Sequence, residues 1–527
     1  MAKTFGISDV TMIQLLLPIH ILWINLVTDT FPALALAFDP ANRDIMDRKP
    51  IKKDEGIFTK GRTFRIIYQG AMIGILTLSA FIIGLATPDS KLPTMVKYEG
   101  ETIAVEEIDN LDEVLANGGE YISKEAVSGS DIILTIDSKL QAVTEEALKN
   151  NIEKIASGGF GKSYPADAGA AVVMNVKTGE VLAMASYPDY DPSSFVNGID
   201  TETWNYYING DTKPLENKAI SAMYSPGSTF KMATAIAGLQ EGKITTTETI
   251  RDTGVYKKYN SSWKCWNTSG HGRIAVSDAI KKSCNYFFYE LGDRLGIDTL
   301  AKYAYYLGLG HKTGIELKGE ISGVLASNKI AEQENRVWNP GETISAAIGQ
   351  SYNTFTPIQM AKYVSMIANR GKKLDVTIVK SVVNSDGSEV SRDEYENEIH
   401  QKLGLENDDS EEMTFDEKNI DAILEGMRGV TSESGGTAYS IFQGFNIEVG
   451  GKTGSAQTGV KDKTNAWFVG FAPFDDPEIA IVVFVRNGGH GNYTAEVARD
   501  VIAQYFGMNT NQITEDVSAL PTVQIIN

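Results

Sequence analysis

Apolar positions along this chain follow three different rhythms. Residues 66–86, IIYQGAMIGILTLSAFIIGLA, run for 21 positions without a charge, long enough at about 1.5 Å per residue to cross a bilayer core of roughly 30 Å. Residues 11–38 are nearly as apolar but contain Asn25, Thr28, Asp29 and Pro32. Both segments are expected to be transmembrane helices, with Asp29 marking an ion site or a buried, re-entrant helix. The basic residues from Arg43 to Arg65 put the connecting loop in the cytoplasm. Everything after about residue 90 is then expected outside.

Beyond residue 130 the periods become those of a globular protein. ILTIDSKLQAVTEEALKNNIEKIA (133–156) reads as a short strand that passes through Asp137, a good N-cap, into an amphipathic helix. Residues 169–187 are two β-rich runs joined around Lys177-Thr178-Gly179, a hairpin. Tyr224-Ser225-Pro226-Gly227 breaks the chain before a helix over 228–242, and further helices are expected over 282–296, 300–308 and 356–371. Three strand-like runs (450–458, 465–474, 478–487) and a helix over 493–507 close the pattern. The order predicts an α+β domain whose antiparallel sheet mixes both chain ends. Residues 97–130 read as a linker, and a polar insert over about 385–419 is expected on the surface.

Charge is unevenly spread: of the net charge of −20, residues 1–100 contribute +2 and residues 101–527 contribute −22. So acidic a surface repels phosphate, and no nucleic-acid partner is expected. The two cysteines are too few for a disulfide-built scaffold.

The candidate chemistry lies in three short motifs in order: Ser228-Thr-Phe-Lys231, Ser283-Cys-Asn285, and Lys452-Thr453-Gly454 with Ser455. Each spacing recurs elsewhere, at Ser261/Lys264, Ser351/Asn353, Lys177 and Lys312, and context separates the copies. A serine hydroxyl needs a base during attack. Lysine serves as one only when burial and neighbouring cations lower its pKa. Lys231, at a helix start and facing Lys452, meets both conditions. Ser283 is placed to relay a proton and Asn285 to bond Lys231. The backbone N–H groups of Ser228 and Ser455 form the expected oxyanion hole. Gly450-Gly451 is read as room for a substrate backbone, with Lys452 at the rim. Asp252, Cys265, His271 and Cys284 are a second candidate set. Two thiolates, an imidazole and a carboxylate suit a tetrahedral zinc, and a Cys265–Cys284 disulfide or two reduced thiols are the alternatives.

Two resemblances follow. LLLPIHILWINLVTDTFPALALAFDPANRDIMDRKP followed by IFTKGRTFRIIYQG resembles the sixth and seventh membrane helices of a calcium-type P-type ATPase, which implies vestigial cation ligands at Asn25, Thr28 and Asp29. The phosphorylation segment DKTGT and the nucleotide domain are absent from the sequence, so the chain looks like a fusion, or a misassembled frame, joined within about 87–130. From about Ile132 to Gly507, the stretches ILTIDSKLQ, SPGSTFKMATAIAGL, SCNYFFYELG, AAIGQSYNTFTPIQMA and GGKTGSAQTG resemble class B, elongation-type penicillin-binding proteins. That likeness implies a penicillin-binding/serine-β-lactamase-like transpeptidase domain, its antiparallel sheet packed against helices and preceded by the two transmembrane helices. The implied reaction is DD-transpeptidation of peptidoglycan through an acyl-serine, inhibited by penicillin. DD-carboxypeptidation, a non-enzymatic β-lactam-binding membrane sensor and a cation-transport fragment are the alternatives. The implied roles are nucleophile Ser228, base Lys231, relay Ser283 with Asn285, and carboxylate binding by Lys452, Thr453 and Ser455 beside Gly454. No cofactor is required for this chemistry, although some relatives hold a structural zinc at positions matching Asp252, His271 and Cys284. The expected partners are stem peptides, β-lactams, the membrane and the cell-wall elongation machinery. The expected division is 1–90 membrane fragment, 91–130 linker and fusion region, 131–510 transpeptidase domain and 511–527 tail.

Overall fold

The computed structural model describes residues 95–98, 101–104, 129–196, 198–405, 412–460 and 463–508. The chain divides into two compact units, Met1–Glu125 and Ala126–Asn527. The described part of the first is an antiparallel hairpin, Met95–Tyr98 with Glu101–Ala104. It lies within the stretch read from its acidic composition as a linker. The short alternating runs MVKY and ETIA, separated by Glu99-Gly100, are a hairpin pattern.

The second unit is built on five antiparallel strands: β1 (Ala168–Asn175), β2 (Val181–Tyr187), β3 (Gly450–Gln457), β4 (Thr464–Ala472) and β5 (Ile479–Arg486), in the spatial order β3-β4-β5-β1-β2. The hairpin from the start of the domain thus joins the last three strands edge to edge, with Phe484 opposite both Trp467 and Ala170. Seven of the eight residues of β5 and of β1 are buried, so both faces of the sheet are covered. Helices α1 (Ser138–Ala156) and α7 (Gly491–Tyr505) pack together on the sheet, and α5 (Pro357–Ala368) packs on the central strands. The sequence explains both modes. Helix α1 buries Leu140, Val143, Leu148, Ile152 and Ile155 at helical spacing and is capped by Asp137, whose carboxylate accepts from Lys139 N and Leu140 N at 2.9 Å. Helix α5 is buried at all twelve positions; its capping box, Thr356 with Gln359, satisfies backbone donors that water cannot reach.

Around this frame stand α2 (Lys231–Gln240), α3 (Val276–Lys281), α4 (Asn285–Leu295) and α6 (Glu417–Ser432). The expected helix over 282–296 is present and starts three residues later, after a separate short helix. Helix α3 ends at Lys281, Ser283 takes the left-handed φ of +52°, and α4 begins at Asn285. Ser283 N donates to Ile280 O at 3.1 Å and Cys284 N to Ala279 O at 2.9 Å. This is a Schellman ending in which Ser283 holds the position glycine usually takes. The polar region around 385–419 contains the helix Arg392–Leu403, whose Tyr395 packs on Val379 and Val382.

One expectation of the fold class is corrected. Among the described residues no helix is long and apolar enough to cross a membrane, so the α+β domain is not shown preceded by two transmembrane helices. The longest described helix, α1, carries Lys139, Glu145, Glu146, Lys149, Glu153 and Lys154 on its outer face. Charges at that density forbid a hydrocarbon environment. The segments read as spans, 11–38 and 66–86, lie outside the described residues.

Candidate active site

The serine of the first motif lies on a 3-10 turn, Gly227–Phe230, that runs directly into α2. Residues three apart eclipse in such a turn, which sets Ser228 and Lys231 on one side. The third motif passes close behind it. A Cβ at Gly454 would lie 2.7 Å from Pro226 O and 2.9 Å from Thr229 Cγ2, so only glycine lets β3 approach the serine turn. Gly227, at φ +55°, faces the same strand.

Two lysines from separate elements converge on the second motif. Lys231 Nζ donates to Asn285 Oδ1 at 2.7 Å, to Ser283 O at 2.9 Å and to Ser283 Oγ at 3.3 Å. Lys452 Nζ donates to the same Ser283 Oγ at 2.8 Å and to Thr453 O at 2.9 Å. Both ammonium groups are fully buried. Burial pushes the Lys231 pKa down to about 8, partly offset by the nearby Cys284 and Cys265 thiols. Burial, reinforced by the Lys231 charge, holds Lys452 well below the ordinary lysine range. Two cations on one hydroxyl without a carboxylate cannot both stay charged in so dry a site, so a neutral amine is available near neutral pH. Lys452 therefore does not stand at the rim where it was expected. Nor do Gly450 and Gly451 make room for substrate; side chains there would strike the Phe471 and Phe468 rings of the sheet's own core.

The remaining motif residues open onto the cleft. Thr453 Oγ1 lies 2.6 Å from Thr437 Oγ1, and exposed Ser455 accepts from Gly491 N at 3.1 Å. Together with Ser228, Ser283, Asn285, Trp266, Gln350, Gln457 and His490 they line a cavity of about 810 Å³. Thr437 and Trp266 were not singled out from the sequence. Gly435-Gly436 was the available signal for Thr437, because a Cβ at Gly436 would lie 2.2 Å from Gly429 O, which forces a tight turn before the hydroxyl.

The duplicate motifs lack this arrangement, although Lys264 borders the same cavity. Ser261 and Lys264 are on a β-strand, where residues three apart point to opposite faces. Ser351 has φ +62°, and Asn353 is buried against Ala326 N and Ala346 O. Lys177 pairs with Asp476 in an exposed hairpin turn, and Thr313, next to Lys312, binds the buried Glu320 carboxylate.

Asp252, Cys265, His271 and Cys284 come together beside this site, one donor atom of each lying within 4.8 Å of the others. His271 Nδ1 is 2.6 Å from Asp252 Oδ2 and 3.6 Å from Cys265 Sγ, and Cys284 Sγ is 3.3 Å from Asp252 Oδ2. The cysteines are not bridged. The Cys265 thiol is lowered to about 6, chiefly by its hydrogen bond with Cys284, while burial raises Cys284. Four converging donors of this kind can hold a metal ion. Asn25, Thr28 and Asp29 lie outside the described residues.

Residues 169–504 match the penicillin binding protein transpeptidase domain family. A second match, residues 13–108 to the C-terminus of cation transporting ATPases, falls almost wholly outside the described residues. The peptidoglycan D,D-transpeptidase MrdA of Haemophilus influenzae is 31% identical over 415 residues, which cover 74% of this chain and 58% of that protein. The chain thus spans under two thirds of the length of the curated relatives it matches. The crystal structure of Pseudomonas aeruginosa PBP2 in complex with WCK 5153 is 32% identical with a TM-score of 0.63, covering 75% of this chain and 82% of that one. PBP2 of Helicobacter pylori in its complex with MreC is 26% identical with a TM-score of 0.59, covering 72% and 64%.

Proposed function

From the chain's membership of the penicillin-binding protein transpeptidase family, we propose that residues 131–510 form a peptidoglycan DD-transpeptidase. The observation that carries this reading is the convergence of two buried lysines on the Ser283 hydroxyl beside the Ser228 turn. In the proposed reaction Ser228 Oγ attacks the penultimate D-Ala carbonyl of a stem peptide, and neutral Lys231 takes its proton. The backbone N–H groups of Ser228 and Ser455 hold the developing oxyanion. The proton passes from Lys231 through Ser283 Oγ, which lines the cleft, to the amine of the departing D-Ala, with Lys452 donating to the same hydroxyl. Thr453 and Ser455, beside Gly454, bind the terminal carboxylate, with Lys452 behind them donating to Ser283 Oγ and Thr453 O, and Asn285 holds Lys231 in place. An amine of a second stem then attacks the acyl-serine. A β-lactam enters by the same first step, but its opened ring does not depart.

A stem-peptide donor mixed with an amine acceptor is expected to give a cross-linked product. Release of hydrolysed donor alone would make the protein a carboxypeptidase, and label uptake from penicillin without either product would make it a sensor. Such a substrate places the domain outside the cytoplasmic membrane. The likeness to the MreC-bound PBP2 supports elongation machinery as its partner. We read residues 1–90 as a calcium-type P-type ATPase segment fused ahead of a 91–130 connection, and residues 511–527 as a tail; neither adds a step to this chemistry.

For the metal, we infer zinc held by Asp252, Cys265, His271 and Cys284, with a buried His271 Nε2 that has no hydrogen-bond partner among the described residues. Ligands about 2.0–2.3 Å from a tetrahedral zinc lie roughly 3.3–3.8 Å apart; the sulfur contacts at 3.3 and 3.6 Å match that spacing, and the 2.6 Å contact of His271 Nδ1 with Asp252 Oδ2 is a hydrogen bond that would open on binding. Its contribution is structural, tying the loop at Cys265 to the start of α4. Elemental analysis of the purified chain is expected to give about one zinc per molecule, lost to a strong chelator with a fall in thermal stability. A metal-free protein with no titratable thiol would instead indicate a Cys265–Cys284 bridge.

A further inference from the structure

Trp266 is the most exposed large hydrophobic side chain in the cleft, at 61%, yet its position is fixed from three directions. Its indole Nε1 donates to Lys282 O and to Ser283 O, both at 3.1 Å. Its ring stands edge-on to His271 with centroids 5.1 Å apart. The loop that carries it is tied by Cys265 N to Gly254 O at 2.8 Å and by the turn in which Asn267 Nδ2 and Gly270 N close on Gly270 O and Asn267 O. An aromatic ring exposed for no reason would be free to rotate into solvent. This one is bound to the backbone of the left-handed serine that joins the two lysines.

We propose that Trp266 is a positioning residue for the transfer reaction. Its N–H, shared between two successive carbonyls, holds Ser283 at φ +52°, while the open ring face forms the wall of the cleft against which the acyl donor lies. The inference rests on the acyl-serine reading. Ser283 O accepts from Trp266 Nε1 and from Lys231 Nζ together, so the indole braces the carbonyl on which the base is anchored. Without it Ser283 O keeps Lys231 Nζ as its side-chain donor but loses the indole that fixes the loop against it, and a non-glycine residue at that φ is strained. Ser283 Oγ would then drift from one or other lysine. The two functions of the side chain separate by atom: the N–H orients, and the ring binds.

The test is the acylation of the full chain by a fluorescent penicillin, resolved into the dissociation constant of the initial complex and the first-order acylation constant. Trp266→Phe keeps a ring and loses the donor. It is expected to leave the dissociation constant within about two-fold and to lower the acylation constant about ten-fold, as loss of one hydrogen bond does. Trp266→Ala should weaken both. A thermal midpoint unchanged in Trp266→Phe distinguishes orientation from loss of fold. The inference is overturned if Trp266→Phe acylates at the wild-type rate constant, or if its rate falls only together with the midpoint. A wild-type chain that takes no label overturns the acyl-serine reading itself, and is thereby distinguishable from either result.

Discussion

Ser228→Ala is expected to take up no fluorescent penicillin, while its circular dichroism and thermal midpoint stay those of the parent. The hydroxyl lies on the 3-10 turn at the cleft and is only partly buried, so removing it leaves no cavity in the core and costs well under the several kcal/mol of a buried truncation. What it removes is the atom that forms the covalent bond. Ser261, the serine of the duplicate motif, does not replace it, because Lys264 lies across its strand rather than beside it. Second-order labelling rates of Ser228→Ala and Ser261→Ala, measured side by side, check this. Label retained in the first and lost in the second would exchange the roles of the two serines.

The second large effect is at Lys231. Lys231→Ala should lower the acylation rate by roughly 10²–10⁴-fold, the usual loss when a general base is removed. Lys231→Arg should do no better, because a guanidinium stays protonated and cannot accept the serine proton. The pH dependence follows from the direction of the shift. A lysine lowered to about 8 by burial is mostly neutral above that pH and mostly charged below it, so the wild-type rate should rise with pH, pass half its plateau near 8 and level off above it. In Lys231→Ala that rise should vanish. Stopped-flow acylation between pH 6 and 9 measures both. A Lys231→Arg variant with wild-type rates would remove lysine from the role of base.

The frame of the domain was legible because its segments carry their own signals. Asp137 caps α1 through a local hydrogen bond, the 169–187 runs alternate around a turn at Gly179, and β4 and β5 are unbroken apolar stretches. The dipoles and periods that define these elements lie within a few residues of one another. The break at Ser283 was not legible in that way. The helix read over 282–296 included Ser283, and the left-handed serine is held by Lys231 and Lys452, which stand 52 and 169 residues away. The burial of Lys452 was missed for the same reason. A lysine after two glycines reads as a surface residue until β4 and the serine turn close over it. Gly450 and Gly451 showed that something approaches closely, but not that it is the protein's own Phe471 and Phe468. Asp252, Cys265, His271 and Cys284 were nameable as donors from their type alone. Their convergence depends on the Schellman ending that turns Cys284 inward.

Acyl transfer through Ser228 is tested most directly by mass mapping of the wild-type chain after brief exposure to a D-Ala-D-Ala stem peptide and acid quench. The expected result is an adduct of the donor less its terminal D-Ala, on the peptide containing Ser228 and on no other. An adduct at another serine, or release of D-Ala with Ser228 never modified, would contradict the account.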